Sequence, residues 1–291
     1  MPVMSKVQEN RPNDGPILWV VATPLGHLSD LSPRAREILE SADLIAAEDT
    51  RMTQRLVARS ASQRWLSINE HSEERNVQVI MDALEEEKSV ALVSDAGTPL
   101  ISDPGYRVVS AAHAKGFRVS PIPGPCAAVA ALSAAGLPSD RFHFEGFLPA
   151  KRSARQTRLR TLAQLPHTWI VYVPARDLKE VVADMLVVLD KARPITLARE
   201  LTKRFETVKR LEAGQMNRWL AEDEDQLKGE AVLVVGGCPN PHAVIEPSVL
   251  AQQLKSVLPP SKAAAVLAKV STLSRQDAWT LVMGPDEEEV E

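Results

Sequence analysis

Prolines and glycines, in one case with carboxylates, recur together in the first half of this chain, each time where an apolar run has just ended. One cluster reads Thr23-Pro24-Leu25-Gly26-His27-Leu28. A second reads Asp95-Ala96-Gly97-Thr98-Pro99 and continues to Asp103-Pro104-Gly105, and a third reads Pro123-Gly124-Pro125-Cys126-Ala127. A fourth, Glu48-Asp49-Thr50-Arg51, puts two acids and a guanidinium in the same kind of place. Proline fixes φ and glycine lets a backbone approach closely, so such loops suit a ligand read by backbone N–H and C=O groups. An adenosine moiety with an amino-acid tail fits that description. Glu48 or Asp49 would face a reacting group as proton acceptor, with Arg51 on a phosphate or on the carboxylate beside it. The alternative is a surface helix start capped by acids.

Other chemistries are poorly supplied. Neither the P-loop spacing nor a G-x-G-x-x-G follows the first apolar run, which removes the usual nucleotide fingerprints. Cys126 and Cys238 have no paired spacing, and the histidines have no metal-ligand spacing, so neither a disulfide framework nor a metal is expected. Cys126 stands near a predicted helix start, where a thiol pKa falls, but without a paired histidine its small size for close packing is the better account.

The elements that must position these loops alternate. Residues 17–22, 44–47, 64–68, 90–94 and 119–122 read as strands. Between them, residues 33–41, 50–59, 73–87 and 104–115 read as helices, with a small-residue helix over 125–135 after the last strand. Ser32-Pro33 supplies an N-cap and a proline at the first helical position, and Gly116 and Gly136 are natural stops. Strands alternating with helices favour a mostly parallel sheet. In such a sheet the loops after the strands share one edge, where ligands bind.

Residues 148–160 change character. Lys151, Arg152, Arg155, Arg158 and Arg160 stand there with no acidic residue among them. Lys151, Arg152 and Arg155 read as contacts to RNA phosphates, against the plainer reading of a solvated helix face. Strands over 168–173, 195–199, 205–211 and 231–235 follow, with helices over 177–190 and 215–222. The alternation within 205–211 points to a partly antiparallel sheet. Beyond Pro239, residues 247–258, 262–270 and 275–283 read as short helices carrying Lys255, Lys262, Lys269 and Arg275. The divisions expected are a disordered lead-in over 1–14, α/β domains over 15–148 and 149–240, a helical region over 241–285, and an acidic tail over 286–291.

At 291 residues and 44% hydrophobic content the chain can bury two modest cores. A net charge of -4 argues against coating nucleic acid over the whole surface but leaves room for a local basic patch. Aromatic residues make up only 4%, which disfavours a single-strand stacking platform and leaves recognition by shape and phosphate. No signal-peptide core or bilayer-length apolar run stands out, so a cytoplasmic protein without membrane contact is expected.

In this order the motifs resemble the tetrapyrrole-methylase-like, S-adenosylmethionine-dependent methyltransferases of class III. Within them they resemble the branch that methylates a ribose 2′-hydroxyl of a cytidine in the decoding region of small-subunit (16S) ribosomal RNA. The matching segments are 22–28, 46–51, 92–106, 121–135 with Gly136-Leu137-Pro138-Ser139-Asp140-Arg141-Phe142, and 145–149. Leu197-Ala198-Arg199-Glu200-Leu201-Thr202-Lys203 and Lys228-Gly229-Glu230 match in the second half. The family usually has Asn where this chain has His27, and an acid and a histidine where this chain reads Val173-Pro174-Ala175-Arg176. Ser271-Thr272-Leu273-Ser274-Arg275-Gln276-Asp277 is a loose match to a basic C-terminal motif.

The resemblance implies two α/β domains with an S-adenosylmethionine cleft between them, a small helical C-terminal region, a homodimer, and in-line methyl transfer that needs no nucleophilic side chain. On that basis Glu48, Asp49 and Arg51 are the catalytic candidates. The cofactor candidates are Pro24, Gly26 and His27 in the first loop, and Asp95, Ala96, Gly97, Thr98, Pro99, Asp103, Pro104 and Gly105 in the second. Pro123, Gly124, Pro125, Cys126 and Ala127 join them from the third, with Glu230 in the wall of the second domain. A C-methyltransferase acting on a tetrapyrrole, and a non-catalytic ligand- or ribosome-binding module, are the rival readings.

Overall fold

The computed structural model describes residues 16–68, 73–239, 247–271 and 273–284. The lead-in over 1–14 and the tail over 286–291 lie outside the described residues, as does Thr272. Continuous apolar runs form the strands β1 (Ile17–Val21), β2 (Leu44–Ala47) and β4 (Val90–Val93) at the centre of a five-stranded sheet. β3 (Arg64–Ser67) and β5 (Arg118–Ile122) complete it in the order β3-β2-β4-β1-β5, and every pairing is parallel.

Alternate side chains leave the sheet on opposite faces. Trp19 joins Ile38 and Leu39 of helix α1 (Pro33–Ser41) on one face. Leu18 joins Ile80 and Leu84 of α3 (Glu73–Glu85) and Val108 of α4 (Tyr106–Ala114) on the other. Burial on both faces is why these strands read as unbroken apolar runs.

The helix read over 50–59 closes early. Only Thr50–Thr53 is α-helical (α2), after which Arg55 and Leu56 donate three residues back, to Met52 and Thr53. The tightened chain turns Val57 into the core, and the Arg36 guanidinium takes the Leu56 carbonyl at 2.9 Å.

A second five-stranded sheet holds β6 (Phe142–Phe147), β7 (Thr168–Pro174), β8 (Pro194–Arg199), β9 (Thr207–Glu212) and β10 (Glu230–Val235), in the order β6-β7-β10-β8-β9. Only β6 and β7 run parallel, with a bulge between Phe144 and Gly146. The rest is antiparallel, as the alternation near 205–211 implied. β6 therefore pairs in the second sheet although it precedes residue 148.

One face of this sheet carries α6 (Arg152–Leu162), α7 (Leu178–Leu186) and α8 (Ala213–Glu222) over Trp169, Val171, Met185 and Leu220. The other is covered by α5 (Ala127–Ala135), whose Ala128, Ala131, Leu132 and Ala135 pack on Ile170, Ala198 and Val234. Small side chains let α5 lie close to the strands, so a helix that begins in a loop of the first sheet covers the second. The two sheets belong to one compact unit that ends at Cys238. The unit beyond it has its own core of Ala251, Ala263, Leu267, Ala278 and Val282, contributed by α9 (Pro247–Val257), α10 (Pro260–Val270) and α11 (Arg275–Met283).

Candidate active site

The loops after β1, β4 and β5 are stitched to one another. Thr23 N–H donates to the Gly97 carbonyl at 2.8 Å and Gly97 N–H returns to the Thr23 carbonyl at 3.1 Å. The Thr98 hydroxyl reaches the Pro125 carbonyl at 2.9 Å. Between Gly97 and Gly105 the chain enters the left-handed region repeatedly, at Gly97 (φ 91°), Leu100 (72°), Ser102 (69°) and Gly105 (126°). Left-handed backbone at non-glycine residues is costly, and it persists where surrounding contacts fix it.

These loops form one wall of a cleft of about 510 Å³. That volume falls within the roughly 300–1,000 Å³ usual for small-molecule pockets.

Carboxylates hold the floor. Glu48 Oε2 accepts the N–H of Asp95 at 3.2 Å, and Asp95 Oδ1 accepts the N–H of Asp49 at 2.9 Å, so the ends of β2 and β4 are tied through side chains. Burial raises the Asp95 carboxyl above its ordinary value. At Asp103, burial and then the negative charge of Glu48 push it up to about 6.

Asp49 goes the other way. It caps α2, and Arg51 grips it with Nε 3.0 Å from Oδ1 and a terminal nitrogen 2.7 Å from Oδ2. Those bonds hold its carboxyl at about 2. Asp49 and Arg51 are each other's partner, the arrangement in which Arg51 orients the carboxylate beside it, and neither lines the cleft.

The opposite wall comes from the second sheet. Tyr172 accepts the N–H of Ala128 at 3.2 Å, and the rings of Phe144 and Phe147 meet it edge-on at 5.1 and 5.6 Å. Burial pushes the Tyr172 phenol well up, so it stays protonated. Lys203 Nζ sits between Glu200 Oε1 (2.9 Å) and Glu230 Oε2 (3.0 Å), in a loop where Glu200 and Thr202 are left-handed. That loop also receives the first sheet, because His27 N–H donates to Thr202 Oγ1 at 3.2 Å.

Of the residues singled out in the sequence, Glu48, Asp95, Ala96, Gly97, Thr98, Asp103, Cys126, Ala127 and Glu230 line the cleft. Pro24, Gly26, His27, Pro99, Pro104, Gly105, Pro123, Gly124 and Pro125 do not, and serve the loops themselves. A β-carbon on Gly124 would stand 2.8 Å from that of Ala22, and one on Gly105 would stand 3.0 Å from Leu92. The His27 imidazole accepts the N–H of Ser29, starting a short 3-10 turn. Leu25, Phe147, Tyr172, Arg176 and Lys203 also line the cleft. Lys203 stood inside a matched motif and was legible there, whereas Tyr172, in the middle of an apolar strand, carried no local signal.

The basic segment needs a correction. Arg155 is buried, with its guanidinium 2.8 Å from Asp184 and 3.3 Å from Glu180 of α7. Arg152 pairs with Asp184 at 2.9 Å, and Arg158 pairs with Glu145. Arg155 is therefore a packing group and not a phosphate contact. Lys151 is exposed and has no ion pair among the described residues.

The cleft fits the ligand that the motifs implied. Half-buried Asp95 and Asp103 suit a cation, as the sulfonium and ammonium of S-adenosylmethionine are, while Phe147, Tyr172 and Leu201 offer apolar surface to a purine. A parallel sheet whose carboxyl-edge loops share such a cleft with a mainly antiparallel partner defines a methyltransferase of the two-sheet, tetrapyrrole-methylase architecture.

Solved structures bear out the fold. Cobalt precorrin-4 methyltransferase, a cobalamin biosynthetic enzyme, matches with a TM-score of 0.58 and 17% identity over 76% of this chain and 94% of its own. Uroporphyrin-III-C-methyltransferase from Thermus thermophilus matches at 0.54 and 20%, over 76% and 94%. The chain belongs to the family of Tetrapyrrole (Corrin/Porphyrin) Methylases, whose model matches residues 18–217.

Within that family it is similar to proteins named Ribosomal RNA small subunit methyltransferase I. The relative from Vibrio cholerae is 45% identical over 91% of this chain and 93% of its own length. The relatives from Escherichia coli O157:H7 (43%, over 91% and 94%) and Pseudomonas aeruginosa (46%, over 87% and 92%) agree.

Proposed function

We propose that this chain transfers a methyl group from S-adenosylmethionine to the ribose 2′-hydroxyl of a cytidine in small-subunit ribosomal RNA. The observation that carries this is the 45% identity to a ribosomal RNA small subunit methyltransferase over nine-tenths of both chains. The solved tetrapyrrole enzymes share 17–20% with it and speak for the fold alone.

When bound, S-adenosylmethionine supplies an electrophilic methyl on a sulfonium, so no side chain has to act as nucleophile. The loop over Asp95, Ala96, Gly97 and Thr98, with Cys126 and Ala127 at the start of α5, forms the wall that would hold it. Glu48 and Glu230 line the same cleft. The stitched loops fix the distance and direction of approach, which is where a two-substrate transfer gains most. Lys151, exposed and without an ion pair among the described residues, offers its charge to the RNA backbone.

The same reading makes the protein cytoplasmic and a homodimer. No helix among the described residues is long and apolar enough to cross a membrane.

The test is methyl transfer from labelled S-adenosylmethionine to small ribosomal subunits of cells lacking the protein, followed by mapping of ribose methylation. One methylated cytidine ribose is expected. Labelling of a porphyrinogen instead, or of neither acceptor, overturns the reading.

A further inference from the structure

A helix opens with backbone N–H groups that have no partner within it, and a buried one must find an acceptor elsewhere. α1 and α11 find one in their own N-cap side chains, Ser32 and Ser274. α5 does not. Its N-cap residue is Cys126, whose side chain bonds none of the helix's N–H groups. Sulfur is a weak acceptor, and this thiol interacts with the phenol of Tyr172 instead.

The acceptor comes from the other sheet. Ala128, the second residue of α5, is buried, and its N–H donates to the Tyr172 hydroxyl at 3.2 Å. The edge contacts with Phe144 and Phe147 hold the Tyr172 ring without using that hydroxyl. Just before the helix, the Thr98 hydroxyl takes the Pro125 carbonyl at 2.9 Å. The chain is thus pinned at Pro125 from the first sheet and at Ala128 from the second. Cys126 and Ala127, the two residues between the pins, are the residues of this loop that line the cleft.

We propose that the Tyr172 hydroxyl serves as the N-cap of α5 and thereby positions Cys126 and Ala127 for S-adenosylmethionine. This rests on the reading of the cleft as the cofactor site. Tyr172 is a positioning residue: its ring gives the cleft apolar surface, while its hydroxyl acts through the start of α5.

A serine at the N-cap would accept the N–H of the second or third helical residue. Ala128 is the second, so the phenol does from across the cleft what such a serine does locally. Without the hydroxyl, the buried Ala128 N–H loses its acceptor, and the helix start must shift or fray to find water. Apparent affinity falls with the fraction of molecules in the binding-competent form. Loss of the cap therefore reads as weaker cofactor binding, with the transfer step little changed once the cofactor is seated.

The experiment uses the full chain and removes the hydroxyl alone, in Tyr172→Phe. Calorimetry should show about tenfold weaker binding of S-adenosylhomocysteine. Methylation of small subunits should show a raised KM for S-adenosylmethionine, with kcat within about twofold of wild type. The cap is then offered from the helix's own side. In a Cys126→Ser background a serine hydroxyl can take the Ala128 N–H, and Tyr172→Phe should cost less than about twofold in affinity. In a Cys126→Ala background, which offers no acceptor, Tyr172→Phe should again cost about tenfold.

An equal loss in the serine and alanine backgrounds overturns the proposal, because the hydroxyl then works somewhere other than the cap. Amide hydrogen exchange of the wild type needs no variant to fold: the Ala128 N–H is expected to be as protected as those in the middle of α5, and exchange at the rate of an open chain overturns the cap. A wild type that binds no S-adenosylhomocysteine fails the reading of the cleft, and the role of Tyr172 falls with it. Wild-type binding with an unaffected Tyr172→Phe fails the positioning role alone.

Discussion

Arg155 of α6 and Asp184 of α7 meet through a guanidinium nitrogen and a carboxylate oxygen 2.8 Å apart, and both side chains are buried. Gln156 and Arg152 close the remaining approaches to Asp184. Burial pushes this carboxyl up, but the hydrogen bonds from Gln156, Arg152 and Arg155 outweigh it and hold the group below its ordinary value. Removing one partner strands the other charge in the interior, which costs about 3–5 kcal/mol. Asp184→Ala should lower stability by about that much in urea unfolding.

The sign of the pH effect follows from the depressed value. The contribution is full above the ordinary carboxylate range, about 4, and is lost as pH falls through the native pKa. Stability of Asp184→Ala should therefore fall less steeply than that of the wild type below about pH 4.

The same pair shows where sequence reading stops. Within residues 148–160 no acid accompanies the basic residues, so the segment looked like a free cationic face. Its counter-ions arrive from elsewhere in the chain, as Asp184 and Glu180 of α7 and Glu145 of β6. Local composition cannot display pairing across some thirty residues.

Contiguous signals did better. The apolar runs at 17–22, 44–47 and 90–94 became the central strands within a residue, because burial on both faces leaves its mark in the run itself. β6, which reads Phe142-His143-Phe144-Glu145-Gly146-Phe147, has only a broken alternation. Its bulge shifts the pattern, so the run carries no clear strand period. The site was legible where it is made of loops after parallel strands, and illegible where Tyr172 and Phe147 enter from the other sheet.

Asp95 joins two loops through one oxygen. Asp95→Ala leaves the Asp49 N–H without its acceptor and removes one of the ties between the ends of β2 and β4. An unsatisfied half-buried donor costs about 1–3 kcal/mol. Because the loops over Asp95–Thr98 form the proposed cofactor wall, that loss should appear in binding, as roughly a tenfold to hundredfold weaker affinity for S-adenosylhomocysteine in calorimetry. Unchanged affinity would take this loop out of the site.

Gly97 works through its backbone. At φ 91° it donates to and accepts from Thr23, and a β-carbon there would press on Leu25 at 3.3 Å. Gly97→Ala should cost about 1–2 kcal/mol from the left-handed backbone alone, seen as a lower Tm. The methylation rate should fall further than the lost stability explains, since the same bend shapes the cleft.

The ion pairs around α6 decide which of its charges can report on RNA. Arg155→Glu would confront Asp184 and Glu180 with a like charge, so any loss of activity there reports on folding. Lys151 is exposed and has no ion pair among the described residues, so reversing it tests RNA contact without disturbing the packing. Lys151→Glu should keep the wild-type Tm and the affinity for S-adenosylhomocysteine. It should weaken binding to small subunits and reduce the salt slope of that binding by about one. A wild-type salt slope in Lys151→Glu would place the RNA path on another face of the molecule.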